Sequence, residues 1–311
     1  MNPYVYRGSD PFAPPPYRAE GSRFHGFVVE TGWSPLQRLL DAELNAIGGG
    51  RRFVPVMPFV VVTYVAIERS SSPDAPTSRQ GYYTENDLMV WMLVAEVPDG
   101  LALPRIGWYV PLVWVDQAIA VIEGREGFGY PKNLGTIQMA DLGASAARFS
   151  TTAALFPGTP DQPVTDEVIN TVELTAGSAA ARAEWSSLHE AVDDVLERLV
   201  DDATQHRIDG VASAFDLTSV LKYVPHQVFL LRQLRAPGDP SATEVQEVLV
   251  SPVADLTFHD GGLLDGEWTV DFPAHPTLDV AAALGLDGPT VAKLAYRITI
   301  DVTLGIPDRA S

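Results

Sequence analysis

From Val54 to Ile67 the chain is apolar at nearly every position, rich in Val, Phe and Tyr, with Pro55 and Pro58 near the start. Such residues fit a pleated, buried surface, so this run predicts a strand with an irregular beginning. Leu88 to Val97 and Trp108 to Ile122 read as further strands, and Ile137 to Phe156 as one or two. Beyond the proline-rich break at 157–163, Tyr223 to Leu234, Thr243 to Phe258, Glu267 to Phe272 and Leu294 to Leu304 follow, separated by proline and glycine turns. The stretch Tyr296 to Leu304 alternates cleanly, as a half-exposed strand does. Helical spacing is confined to a few segments. Leu36, Leu39, Leu40 and Leu44 recur at three- and four-residue steps after the helix-start signal Ser34-Pro35, and Gly48 to Gly50 end that run. Pro276 to Leu286 predicts a short helix. Over residues 177–208, Trp185, Leu188, Val192, Val195, Leu196 and Leu199 form one apolar stripe with acidic residues on the other faces.

Many strands and few helices predict a mainly β (α+β) protein built on a closed or nearly closed antiparallel sheet. Alternation alone does not choose between barrel and sandwich. Residues 1–22, with Pro3, Pro11, Pro14, Pro15 and Pro16, read as an extended arm. Residues 23–311 read as one domain with a helical insertion at about 177–208.

A net charge of −19 argues against nucleic-acid binding and against adsorption to anionic membranes. With no cysteine, the chain has no disulfide, thiolate nucleophile or cysteine-bound metal. Neither a signal-like start nor a run of about 20 apolar residues is present, so the expected location is the cytoplasm.

The most informative stretch is Gly124-Arg-Glu-Gly-Phe-Gly-Tyr-Pro-Lys-Asn-Leu-Gly135, directly after the apolar Ala118 to Ile122. Pro131 stiffens the backbone that carries Lys132. A lysine held among apolar groups loses the hydration of its ammonium, its pKa falls, and the free amine attacks carbonyls.

This stretch resembles the acetoacetate decarboxylase family, whose signature runs roughly Ala-Ile-Ala-x-Gly-Arg-Glu-x-x-x-Tyr-Pro-Lys-Lys-Leu-Gly. Gly124, Arg125, Glu126, Tyr130, Pro131, Lys132, Leu134 and Gly135 match at the same spacing. Tyr83-Thr84-Glu85 and Asp255-Leu-Thr-Phe-His259 supply two further family elements in the same order. The resemblance implies a β-barrel or cone with a deep central pocket and a homo-oligomer. It implies that Lys132 forms an iminium with a small-molecule keto acid or ketone, with Glu85 as its partner in catalysis. Tyr130 and Arg125 are placed at substrate by the same frame, and no metal, nucleotide or organic cofactor is implied. Decarboxylation of a 3-oxo acid leads. Aldol condensation or dehydration of 2-oxo acids, a tailoring reaction on a larger carbonyl compound, and a non-catalytic binding barrel are the alternatives.

The match has gaps. Asn133 stands where the family carries a second lysine, so activation of Lys132 is expected to rest on desolvation. A second family acid falls loosely at Thr63. The arginine expected after Phe24-His25 is replaced by Gly26, with Arg18 or Arg23 as possible substitutes. His259 reads as structural, and no histidine pair has metal-ligand spacing.

Overall fold

The computed structural model describes residues 12–47, 51–74, 77–98, 104–143, 146–199 and 227–309. Seven strands form a closed ring: β1 (Tyr17–Glu30), β3 (Phe59–Ser71), β4 (Tyr83–Pro98), β5 (Arg105–Val115), β11 (Gln227–Ala236), β12 (Asp239–Leu264) and β15 (Leu294–Leu304). Their order is β4-β3-β1-β15-β12-β11-β5, and β5 returns to pair with β4. All contacts round the ring are antiparallel except the short parallel one between β11 and β5. The expected β-barrel thus takes the form of this ring. Two short strands extend it, β2 (Arg51–Pro55) on β4 and β6 (Lys132–Leu134) on β5.

A second sheet lies outside the ring. It runs β14 (Thr290–Val291), β13 (Glu267–Asp271), β9 (Thr165–Ala176), β8 (Arg148–Leu155), β7 (Thr136–Gln138). Between the two sheets sits the main core. Val60, Val62 and Tyr64 of β3 and Leu88, Val90 and Met92 of β4 meet Phe149, Val172 and Trp268 there. Helices α1 (Trp33–Ala42) and α4 (Val280–Leu284) add Leu36, Leu40 and Leu284. The alternate residues of β3, from Phe59 to Ile67, face an interior cavity instead. Both faces of the strand are buried, which is why Val54 to Ile67 reads as a continuous apolar run.

Two segments differ from the sequence expectation. Trp108 to Ile122 is not one strand: β5 stops at Val115, and Ala118–Glu123 is helix α2. Asp116 marks the break, because its carboxylate accepts from the backbone and side-chain nitrogens of Asn86 (2.9 and 2.7 Å) and holds a turn there. Among the described residues of 177–208, Ala181–Trp185 is strand β10, paired with β12, and Leu188–Leu199 is helix (α3). Trp185 is therefore a strand residue. Its indole still caps the helix face, donating to Asp194 at 3.1 Å. Residues 200–208 of that segment, and residues 223–226 of the predicted 223–234 strand, lie outside the described residues. Within the described residues no helix is long and apolar enough to cross a membrane.

Candidate active site

Helix α2 runs straight into a single π-turn, Gly124–Phe128, which Gly129 ends in the left-handed conformation (φ 88°). The N–H groups of Gly129 and Tyr130 both donate to the Gly124 carbonyl at 2.8 Å. A Cβ at Gly129 would also lie 2.8 Å from the Arg232 Cβ, so space and dihedral both demand glycine. Pro131 then leads into β6, where Lys132 pairs with Val113 of β5. At Gly124 a Cβ would lie 2.5 Å from the Lys132 Cδ. The glycines of the motif thus shape the turn and leave the volume that the lysine side chain fills.

Strand β4 supplies the acid groups. Its two-residue period puts Tyr83, Glu85, Asp87 and Met89 on one face. The Lys132 Nζ lies 3.3 Å from Glu85 Oε2, with the two side chains 9% and 0% exposed, so this pair is shielded from water. Glu85 Oε1 is held from behind by the hydroxyls of Tyr17 (2.6 Å) and Ser70 (2.9 Å). Asp87 is fully buried, and neither of its oxygens has a hydrogen-bond partner. Glu123, the last residue of α2, accepts from the Tyr83 hydroxyl at 2.7 Å through Oε2, while its buried Oε1 is unpartnered. Lys132, Asp87, Glu123 and Tyr130 all border an interior cavity of about 320 Å³. Glu85 does not; it stands behind the amine.

The electrostatics differ from what desolvation alone predicts. Burial pulls the Lys132 pKa down, but its carboxylate neighbours, Glu85 foremost, outweigh it, and the net direction is upward from the ordinary lysine value. The amine is therefore an ammonium held by carboxylates, which corrects the expectation of a proton lost through burial. Among the acids, burial and then the Glu85 charge push Asp87 well above the usual carboxylate range. Burial pushes Glu123 up to about 7. Asp87 is thus the proton-holding group of the cluster, and Glu123 is placed to hold or release a proton near neutral pH.

Of the residues singled out in the sequence, Lys132, Glu85 and Tyr130 come together. Arg125 does not: the π-turn presents it to solvent, off the cavity wall. Arg18 and Arg23 are also exposed, paired with Glu20 and Glu68 at 3.2 and 3.8 Å. Thr63 is buried on the cavity wall and accepts from the Trp91 indole (2.9 Å). His259 pairs with Asp301 at 3.0 Å, half-exposed and away from the cavity. Three site residues escaped the sequence reading. Asp87 was legible as the next inward position after Glu85. Glu123 and Tyr17 carried no comparable signal. Among the described residues no cluster of three or more His, Asp or Glu side chains is arranged to hold a metal ion.

The profile of the family described as "Acetoacetate decarboxylase (ADC)" matches residues 2–306. The chain belongs to the acetoacetate decarboxylase family. No curated protein matches it in sequence. Among solved structures, it is similar to the acetoacetate decarboxylase of Legionella pneumophila (14% identity, TM-score 0.59, covering 96% of this chain and 88% of that one). It is also similar to an acetoacetate decarboxylase-like enzyme of Sphingomonas wittichii (17%, 0.58, 95% and 93%). A third relative is the enduracididine biosynthesis enzyme MppR, complexed with the condensation product of pyruvate and imidazole 4-carboxaldehyde (15%, 0.58, 100% and 98%). At these identities the structural likeness establishes the acetoacetate decarboxylase-like fold.

Proposed function

We propose that this member of the acetoacetate decarboxylase family is a carbon–carbon lyase working through a Schiff base on Lys132, and that an aldol-type reaction of a carbonyl compound suits its site best. The observation that carries the reading is the buried Lys132 amine, 3.3 Å from Glu85 at the wall of an apolar cavity. The ammonium passes a proton along that hydrogen bond to Glu85, and the free amine attacks the substrate carbonyl carbon. Asp87 protonates the carbinolamine hydroxyl, which leaves as water, and Glu85 returns its proton to Asp87. In sum, ammonium and carbonyl become iminium and water. The cation count is unchanged, so the iminium inherits the Glu85 counter-charge.

Cleavage follows from the iminium as electron sink. An ionised carboxylate, Glu123 in this reading, takes the proton of a β-hydroxyl. The carbon–carbon bond breaks, its electron pair moves to the nitrogen, and a carbonyl fragment departs. Protonation of the enamine and hydrolysis regenerate the lysine; condensation is the reverse. MppR, held with a condensation product, supports this choice. Decarboxylation of a 3-oxo acid is the second reading, favoured by the family itself, with CO₂ as the departing fragment. Against it stands charge: the cation is already paired with Glu85, and a substrate carboxylate would enter beside two further acids.

Borohydride trapping tests the class. Incubation with acetoacetate, pyruvate or decanal should leave a reduced adduct on the Lys132 peptide that Lys132→Ala abolishes. A folded protein that traps none of the three would overturn the Schiff-base reading in favour of a binding barrel.

A further inference from the structure

The cavity is far longer than a Schiff-base site needs. Its walls are alternate residues of β3 from Phe59 to Ile67, of β4 from Asp87 to Leu93, and of β15 from Tyr296 to Leu304. Asp87 and Leu93 are six strand residues apart, about 20 Å at roughly 3.3 Å per residue. Asp87 marks the end with the lysine. At the other end lies α3, the amphipathic helix that the proposed chemistry leaves unused. Its Leu188, Ala191, Val192, Val195 and Leu199 line the cavity from one helix face. Four of them are only half-buried. Leu199 packs on the cluster that holds Met57 and Leu93, and Val195 packs on Trp185 and Leu263, as Tyr296 and Ile298 of β15 also do, so the helix walls the end remote from Lys132.

Little polarity remains along the way. The Trp91 indole N–H and the Thr63 hydroxyl satisfy each other at 2.9 Å, and the Trp185 indole is bonded to Asp194. Ser22 Oγ, buried and unpartnered, is an exception with room for one polar atom. Among the described wall residues Lys132 is the single basic side chain. Glu85 already neutralises it.

We infer that the substrate is an uncharged ketone or aldehyde with a long apolar body, its carbonyl at Lys132, its body along the ring interior and its far end against α3. The carbonyl end of this inference rests on the Schiff-base reading; the apolar body rests on the cavity alone. A small keto acid would leave most of the cavity unfilled and bury an unpaired carboxylate.

The test is binding of methyl ketones of increasing chain length, followed by fluorescence of the cavity tryptophans and by calorimetry. Each added methylene should tighten binding about three- to fourfold until the chain reaches α3, the value for a buried CH₂. An α-keto acid of equal length should bind at least tenfold more weakly than the ketone. Val195→Trp, checked for an unchanged circular dichroism spectrum, should stop the gain at a shorter chain. Affinity that is flat with length, or an α-keto acid that binds more tightly than its ketone, overturns the inference. Lys132→Ala separates the two readings. Retained length dependence, together with wild-type protein that traps no adduct, would remove the Schiff base and leave the apolar-body inference standing.

Discussion

Replacing Glu85 by Gln keeps the side-chain shape and the contacts with Tyr17 and Ser70 while deleting the charge 3.3 Å from the Lys132 amine. Two unit charges at that separation interact by about 5 kcal/mol at an effective dielectric constant of ~20. Part of this is recovered, because the Glu85 charge also holds protons on Asp87 and Glu123, and both ionise more readily without it. A net loss of about 1.4–2.7 kcal/mol corresponds to a ten- to hundredfold rise in free amine at a given pH. The assay is reductive methylation with formaldehyde and cyanoborohydride across a pH series, with the Lys132 peptide quantified by mass spectrometry. In Glu85→Gln the midpoint of labelling should move to lower pH. Turnover should nevertheless fall, since the iminium loses its counter-charge and the amine its anchor. A folded variant whose midpoint is unmoved, or moves upward, would falsify the claim that carboxylates outweigh desolvation here.

Asp87→Asn should accumulate the trapped adduct on Lys132, and turn over, at rates lower by about a hundredfold or more, because the group that protonates the departing hydroxyl is gone. Comparing the rate of adduct accumulation with the steady-state rate checks this. Glu123 has its carboxyl pushed from 4.5 to about 7, so the folded state binds this proton more tightly than the unfolded chain. Its contribution therefore falls by about 3 kcal/mol as pH rises through that window. Glu123→Gln should accordingly unfold at higher urea than the parent at pH 8 and at a similar concentration at pH 4. Gly124→Ala, although at helical φ (−61°), overpacks the buried Lys132 side chain and should cost about 1–3 kcal/mol. Its methyl would crowd the Lys132 Cδ, so adduct yield should drop at least tenfold. Phe149 is fully buried among Phe27, Tyr64 and Trp268. Phe149→Ala should cost about 3–5 kcal/mol in urea unfolding, by opening a cavity between the sheets.

Much of this architecture was legible because strand periodicity is local. The β4 pattern places Glu85, and with it Asp87, on one face; the Tyr-Pro-Lys frame places Lys132. A closed or nearly closed sheet was expected, but which strands close it was not legible, since β4 and β5 also form an ordinary antiparallel pair and only the pairing of β5 with β11 turns a sheet into a ring. The helix at Ala118–Glu123 was hidden for a related reason. Its β-branched Ile and Val suit either structure, and the side-chain turn at Asp116 decides. Reading that segment as a strand concealed Glu123, whose carboxyl reaches the cluster only because α2 and the π-turn bring it beside Lys132. The same turn carries Arg125 outward. Tyr17 was lost to the proline-rich context in front of it, although it opens β1.

Because the ring strands are buried on both faces, consecutive residues answer to separate demands. On β3, Val60, Val62 and Tyr64 bind the sheets together, while Val61, Thr63 and Val65 shape what the interior can hold. Changes at the second set leave the contacts of the first untouched. A lineage can therefore exchange one ligand for another along the inner positions while the architecture persists, and two descendants share their backbone long after their sequences have diverged. The 13–17% identities to solved structures that still cover nearly the whole chain have the form such divergence would leave.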